Sequence, residues 1–426
     1  MHKIERLLQT LAPKGVEFRK LGELLEYDQP NKYCVTSKEF DESYPTPVLT
    51  AGKTFILGYT NEKDNIYQAS KSSPVIIFDD FTTATQWVDF PFKVKSSAMK
   101  ILLPKNPTIN IRFIFFYMQT IPYNISGEHT RQWISRYSQI TIPIPPLEIQ
   151  QEIVKILDAF TELNTELNTE LKARKKQYQY YQNMLLDFKG IHLNHKDAKT
   201  YPKRLQTLLQ TLAPKGVEFR KLRDIGEYIR GVTYKKNQEI NNLECGIKVL
   251  RANNITLSNH LNFEDIKVIN KNVKIRKEQY LKKNDILICA GSGSSEHIGK
   301  VAFINTDFDY VFGGFMGVIR IREVNSRFVY HIFTSNIFKQ YLEKSLNTTT
   351  INNLNANMLQ NFLIPIPPLE IQQEIVKILD QFSTLTTDLL AGIPAEIEAR
   401  KKQYEYYREK LLAFKPLTPH KEVKKC

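Results

Sequence analysis

Several long stretches of this chain are written twice, and no other feature restricts its possible folds as much. Residues 7–21 read LLQTLAPKGVEFRKL, and residues 208–222 read the same, 201 positions later. Residues 142–158 read IPIPPLEIQQEIVKILD and return at 364–380, and the block ARKKQY begins at Ala173 and again at Ala399. Identity of this length does not arise by chance. Between the copies lie two segments, 22–141 and 223–363, which differ in length by 21 residues and share little sequence. The order is therefore variable, constant, variable, constant. Near-identical scaffolds carrying two unlike inserts suit a pseudo-two-fold reader of two different things.

The constant segments read as long helices. From Ile149 the apolar residues recur at steps of four and three: Ile149, Ile153, Ile156, Phe160, Leu163 and Leu167. The series resumes with Tyr178, Tyr181, Leu185 and Phe188, and the second copy repeats it as Ile371, Ile375, Ile378, Phe382 and Leu385, then Tyr404, Tyr407, Leu411 and Phe414. Pro145 and Pro146 can open a helix but not lie inside one, so a rod over 147–188 is expected. A narrow stripe cannot be buried alone, so the two helices should pack on each other. Gly392 and Pro394 predict a kink or short break in the second. The first also holds TELNTELNTEL at 161–171. Four residues are close to one helical turn, so each unit lengthens the rod by about 6 Å while keeping its buried face, as a ruler between the variable domains would.

The variable segments look α/β. Strands are expected at 75–78, 92–95 and 99–102 in the first, and at 286–290, 301–304, 310–312 and 318–321 in the second. Helical stretches should follow at 112–118 and 328–342.

With 426 residues, two to four domains are expected. The 59 Lys and Arg outnumber 45 Asp and Glu, a formal net charge of +14, which suggests a polyanionic partner. A hydrophobic fraction of 42% excludes a disordered polycation. No apolar run approaches the roughly 20 residues of a membrane span, and MHKIERLLQT does not resemble a secretory signal. Cys34, Cys245, Cys289 and Cys426 lack CxxC spacing, which argues against a zinc site or disulfide framework and fits a reducing cytoplasm.

A catalytic constellation is missing from the pattern. Gly291-Ser-Gly293 followed by Gly299-Lys300 has Ser294 and Val301 where a Walker loop needs Gly and Ser or Thr. Asp265-Ile266-Lys267 has the form of a nuclease triplet without its upstream acidic partner, and His129, His297 and His331 belong to no spaced ligand set. Base-reading chemistry is better represented, since Arg, Asn and Gln bond base edges while Lys, Ser and Thr reach phosphates. The candidate DNA contacts are Lys53, Thr54, His129, Arg131 and Gln132 in the first segment. In the second they are Tyr234, Lys235, Lys236, Arg251, Asn253, Asn254, Ser292, Ser294, Ser295, His297, Lys300, Thr349 and Asn352.

The doubled IPIPPLEIQQEIVKILD and ARKKQYxYY blocks, the tetrapeptide array and the two unlike segments, with RGVTYKKN, VLRANNI and SGSGSSEHIGKVAFI in the second, resemble the specificity subunits of type I restriction–modification systems over essentially the whole chain. The resemblance implies an α+β fold: two α/β target-recognition domains separated by two long antiparallel helices, pseudo-two-fold and circularly arranged. The expected divisions are recognition domain 1 at 1–145, a central helix at 146–190, a linker at 191–207, recognition domain 2 at 208–366, a second helix at 367–415 and a basic tail at 416–426. Each domain would read half of a bipartite asymmetric site on double-stranded DNA.

The resemblance also implies that the chain is a non-catalytic subunit. Its helices would bind two methyltransferase subunits and, through them, the motor-nuclease restriction subunits. S-adenosylmethionine, Mg2+ and ATP would sit on those partners and no cofactor on this chain. Residues expected on the partner-binding helices are Ile149, Ile153, Phe160, Arg174, Tyr178, Tyr181, Ile371, Ile375, Phe382, Arg400, Tyr404 and Tyr407. The competing readings are a self-contained DNA methyltransferase or nuclease, and a coiled-coil scaffold without DNA contact. The block at 7–21 should also dock near 411–414, as its twin follows the first helix.

Overall fold

The structure, a computed structural model, describes residues 2–50, 54–122, 131–188, 201–240, 245–292, 297–346, 353–387 and 392–416. The chain forms two units, Met1–Glu166 with Ile397–Cys426, and Leu167–Glu396. Both divisions fall inside long helices, and the first falls within the tetrapeptide array.

The first unit runs α1 (His2–Leu11), β1 (Glu17–Lys20), α2 (Leu21–Leu24), β2 (Leu25–Asp28), β3 (Thr46–Leu49), β4 (Ile56–Thr60), β5 (Val75–Asp79), β6 (Thr85–Val88), β7 (Lys93–Val94), β8 (Met99–Pro104), α3 (Ile111–Met118) and β9 (Thr141–Ile144), then enters α4 (Leu147–Leu186). After α4 the second unit repeats the plan with α5 (Lys203–Leu212), β10 (Glu218–Lys221), α6 (Leu222–Ile225), β11 (Gly226–Arg230), β12 (Glu239–Ile240), β13 (Ile247–Leu250), β14 (Lys267–Ile269), β15 (Ile286–Cys289), β16 (Val301–Phe303), β17 (Tyr310–Phe312) and β18 (Met316–Ile321). It ends in α7 (Ser326–Phe333), α8 (Asn336–Leu346), α9 (Ala356–Asn361), β19 (Leu363–Ile366) and α10 (Leu369–Thr387), and α11 (Ile393–Leu412) returns to the first unit. Among the described residues no helix is long and apolar enough to cross a membrane.

Each unit has a four-stranded antiparallel sheet, ordered β2-β8-β5-β6 in the first and β11-β18-β15-β16 in the second. The central runs VIIFD of β5 and ILIC of β15 are buried on both faces, which is why they read as continuous apolar strings. A smaller sheet lies beside each, β4-β3-β7 and β12-β14-β13-β17, in which β3 and β13 pair in parallel with β7 and β17. The duplicated blocks form a third element. EFRK of β1 pairs antiparallel with TIPI of β9, and EFRK of β10 with LIPI of β19 in the same register.

The constant helices hold the variable segments through the same four side chains in each unit. Asn110 caps α3 by accepting from the backbone N–H groups of Arg112 and Phe113. Its own N–H donates to Gln150 Oε1 at 2.9 Å, while Gln150 Nε2 donates to the Pro145 carbonyl at 2.7 Å. In the second unit Asn325 caps α7, and Gln372 makes the same two bonds at 2.9 and 2.7 Å. Arg112 Nε meets Asp158 at 2.8 Å, and Arg327 Nε meets Asp380 at 2.9 Å. Gln150 and Gln372 are almost fully buried, so each amide orients a joint that water does not reach.

The apolar stripe is intramolecular, and its spacing departs from the expected one. Ile149, Ile153 and Leu157 are buried at steps of four, with Ile156 only half-buried, and Ile371, Ile375 and Leu379 repeat this. Steps of four follow the i, i+4 ridge of a short globular contact, whereas a strict a/d alternation belongs to a long coiled coil. Leu385 is exposed instead of lying in the seam. Aromatic rings close each unit: Phe160 stacks on Tyr407 with centroids 5.5 Å apart, and Tyr181 on Phe382 at 5.1 Å. The break expected near Gly392 is present, with Pro394 in the first turn of α11. The second helical stretch, expected as one, is split into α7 and α8, because the Ser335 hydroxyl turns back to the Ile332 carbonyl at 2.7 Å.

The amino-terminal block docks where its twin predicts. Ile4, Leu7 and Leu8 of the α1 region share a core with Leu411, Leu412 and Phe414. Val16 N–H donates to the Lys415 carbonyl at 3.0 Å. At Gly15 (φ +106°) a Cβ would sit 2.6 Å from the Pro416 carbonyl oxygen, so only glycine admits this crossing. In the second unit Leu205 and Leu209 of α5 pack with Leu185, Leu186 and Phe188 in the corresponding way.

Candidate nucleic-acid interface

A cleft of about 780 Å³ opens in the second unit between the two sheets. Tyr234, Lys236, Arg251, Asn253 and Ser292, five of the residues expected to meet DNA, line it together although they lie in three separate segments. Arg230, Lys267, Glu239 and the tip 313–316 also line it, and sequence reasoning expected none of these as a DNA contact, Lys267 standing out only in the nuclease-like triplet. Close backbone packing builds the floor: a Cβ at Gly231 would sit 2.1 Å from the Gly313 carbonyl oxygen.

The cleft is rigidly made. Arg251 is held by Asp265, Nη2 to Oδ2 at 2.7 Å, which aims the guanidinium while leaving it 30% exposed. Burial and then the nearby Glu239 push the Tyr234 phenol above its ordinary value, so it stays a neutral donor and acceptor at physiological pH. With Arg230, Lys236, Arg251 and Lys267 against Glu239, the lining is cationic.

Three expected contacts are instead interior, which removes them from any direct contact set. Asn254 is 1% exposed; its Oδ1 accepts from Arg251 N–H at 2.8 Å and its Nδ2 donates to the carbonyls of Asn262 and Asp265. Lys300 lies beneath the same loop and donates to the Ala252 and Ile255 carbonyls, and burial pushes its ammonium below the ordinary value. These two shape the loop that presents Arg251 and Asn253. Gln132 in the first unit is likewise buried, its N–H bonded to the Asp80 carbonyl at 2.8 Å. Lys235 is exposed and His297 half-buried, and neither lines the cleft. Lys53, His129, Ser294, Ser295, Thr349 and Asn352 lie outside the described residues.

In the first unit, Thr54 and Arg131 are exposed. Arg131 precedes Trp133, whose N–H donates to Asp80 Oδ1 at 2.9 Å and whose ring packs on Phe78. Asp79 pairs with Met99 in β8 just as Cys289 pairs with Met316 in β18. This register sets Gln29 at the place of Arg230, Lys100 at that of Gly317 and Ala98 at that of Phe315. Lys100 is buried, bonds Gln29 and lies 3.7 Å from Asp80. The same frame thus presents different chemistry in each unit.

Of the twelve expected partner-binding residues, four are internal. Ile149, Ile153, Ile371 and Ile375 are at most 1% exposed and form the unit cores, which takes them out of any direct partner contact. Phe160, Tyr178, Tyr181, Phe382, Tyr404 and Tyr407 are half-buried. Arg174 bonds Glu170 and Gln177, and Arg400 bonds Gln403. The side chains turned outward are Tyr180 at 56% and Tyr406 at 58%, each set edge-on against the next tyrosine.

Two repeats on matching frames, with different residues at equivalent places and a cationic cleft in the second, define a class of two-headed recognition protein. The profile of the family described as the type I restriction modification DNA specificity domain matches residues 13–176 and 214–399, and the chain belongs to that family. It is 39% identical to the EcoR124I/EcoR124II type I restriction enzyme specificity subunit of Escherichia coli, over 98% of both chains. It is 31% identical to a putative type I restriction enzyme specificity subunit of Haemophilus influenzae, over 96% of this chain and 98% of that one. Among solved structures it resembles the S subunit of a type I restriction–modification system from M. genitalium, with a TM-score of 0.59 and 12% identity over 93% of this chain and 96% of that one.

Proposed function

We propose that this chain reads a bipartite, asymmetric site on double-stranded DNA in the cytoplasm, one half with each recognition domain. Its helices hold two methyltransferase subunits, which in turn carry the restriction subunits, and the chain itself catalyses nothing. The observation that carries the reading is the cationic cleft of the second unit, which gathers Arg251, Asn253, Tyr234 and Lys236 at one mouth. A basic, polar lining with Arg and Asn supplies both phosphate neutralisation and base-edge bonds. Supporting it, Gln29, Lys100 and Ala98 stand at the equivalent places of the first unit, so the halves read should differ. The outward tyrosines Tyr180 and Tyr406 lie in the repeated ARKKQY-x-Y blocks, and identical surfaces suit two identical partners.

The test is to map methylated sites in a host carrying the whole system, with the native chain and with residues 165–168 deleted. Native modification should fall on two unlike half-sites with an unspecified spacer. The deletion shortens a helix by about 6 Å, against a rise of about 3.4 Å per base pair. The spacer should therefore change by roughly one base pair, two at most, with both half-sites unchanged. Sites with a single continuous motif, or methylation by the purified chain alone with S-adenosylmethionine and Mg2+, would overturn the reading.

A further inference from the structure

Phe315 is 73% exposed, the most exposed of the chain's large apolar side chains among the described residues. Its backbone is fixed. It occupies the turn joining β17 to β18, where Met316 N–H donates to the Gly313 carbonyl at 2.8 Å. The Phe315 carbonyl accepts from both Ala290 and Gly291, each at 2.9 Å. A Cβ on Gly291 would come within 3.2 Å of the ring, so the ring stands close over that glycine. A rigid tip presenting an aromatic ring to water loses hydrophobic stabilisation unless a ligand covers it.

The surroundings say what kind of ligand. Phe315 lines the 780 Å³ cleft on one side and a second cleft of about 490 Å³ on the other. Arg230 borders both; Arg251, Lys236 and Lys267 stand with Glu239 in the first, and Arg276, Asn353 and Asn355 stand with Glu227 and Glu278 in the second. An apolar ring on a ridge, with a net cationic cleft on one side and charge-balanced arginines and amides on the other, fits a ligand that is flat and apolar at its centre and anionic or hydrogen-bonding along its edges. A base step between two phosphate backbones has that form, and apolar wedges of this type enter base stacks in other complexes. The first unit has Ala98 at this position, so the feature belongs to one recognition domain only.

We infer that Phe315 is a specificity-determining wedge that inserts at one base step of the half-site read by the second domain. The inference rests on the proposed DNA-reading function. A step that unstacks at low cost, such as a pyrimidine–purine step, is favoured at that position without any base-edge hydrogen bond from Phe315.

The test uses the full chain and a pool of random-sequence duplexes. Native chain should enrich a motif. Phe315→Ala should melt at the native temperature, since an exposed ring leaves no cavity. It should bind the enriched duplex roughly tenfold more weakly, the order expected for losing one base–aromatic stack. It should also lose sequence preference at one step of one half-site, while Phe315→Trp keeps that preference. Unchanged affinity and motif in Phe315→Ala would overturn the wedge. So would an equal loss on enriched and random duplexes, or loss of methyltransferase binding with the motif intact. If native chain enriches nothing, the DNA-reading function itself fails and the wedge falls with it.

Discussion

His331 and Phe116 occupy the same position on matching helices, four residues after the arginine of α7 and α3, and both are fully buried. His331 Nε2 bonds Asp380 Oδ1 at 2.8 Å, which leaves Nδ1 buried without a hydrogen-bond partner. Burial is the main influence on the imidazole and holds it below its ordinary value, against the raising effect of Asp380. The unfolded chain takes up a proton near pH 6.5 while the folded unit does not. Stability from this group is therefore complete above about pH 6.5 and is lost as the pH falls below it. His331→Phe copies the first unit's solution. It removes the orphaned nitrogen and keeps the Arg327–Asp380 pair, and should stabilise the second unit by about 1 kcal/mol, or roughly 2–4 °C in Tm. Melting curves from pH 5 to 8 check this: the gain should widen toward the acid end. A gain independent of pH would mean that packing, not proton uptake, causes it.

At the scale of elements, the joints between helix and domain matter most. Gln372→Ala would leave the Asn325 N–H and the Pro367 carbonyl buried without partners, a loss of about 2–3 kcal/mol. Amide exchange at Asn325 should speed up, and the second unit should unfold at lower urea than the first. Equal midpoints would show that the amide is dispensable. Much of this level was legible in the sequence. The strands of the apolar runs, the helix starts after Pro146 and Pro368 and the break at Gly392 all follow from local pattern. The pairing of EFRK with IPI was not, since short polar strands carry no periodic signal and only the fold brings them together. The cleft was half legible. Lys236, Arg251 and Asn253 stood out in polar clusters, but Arg230 did not, and Phe315 reads as an ordinary core aromatic until its exposure is known. Asn254 and Lys300 failed as contacts for the opposite reason: polarity alone does not distinguish a side chain that reads a ligand from one that bonds the backbone beneath it.

For the whole molecule, the crossing at Gly15 and Pro416 draws the two described ends of the chain into one unit. A permutant whose termini are joined, and which is reopened between Lys189 and Lys203, should keep native helicity and Tm within about 4 °C, because no buried backbone bond of the described structure is cut. It should also enrich the native DNA motif. A permutant that fails to fold would show that the crossing at Gly15 and Pro416 does not tolerate the join. The four-residue joint has a further consequence. Gln150, Asp158, Gln372 and Asp380 all lie inside the sequence that is written twice, and their partners Asn110, Arg112, Asn325 and Arg327 lie inside the inserts. A genetic crossover with endpoints in the repeated text delivers an insert together with its half of the joint, and any insert that carries the same Asn and Arg, as both of these do, meets a receptor that already matches. New target sequences can then be acquired in one recombination step, without a period of repair by point mutation.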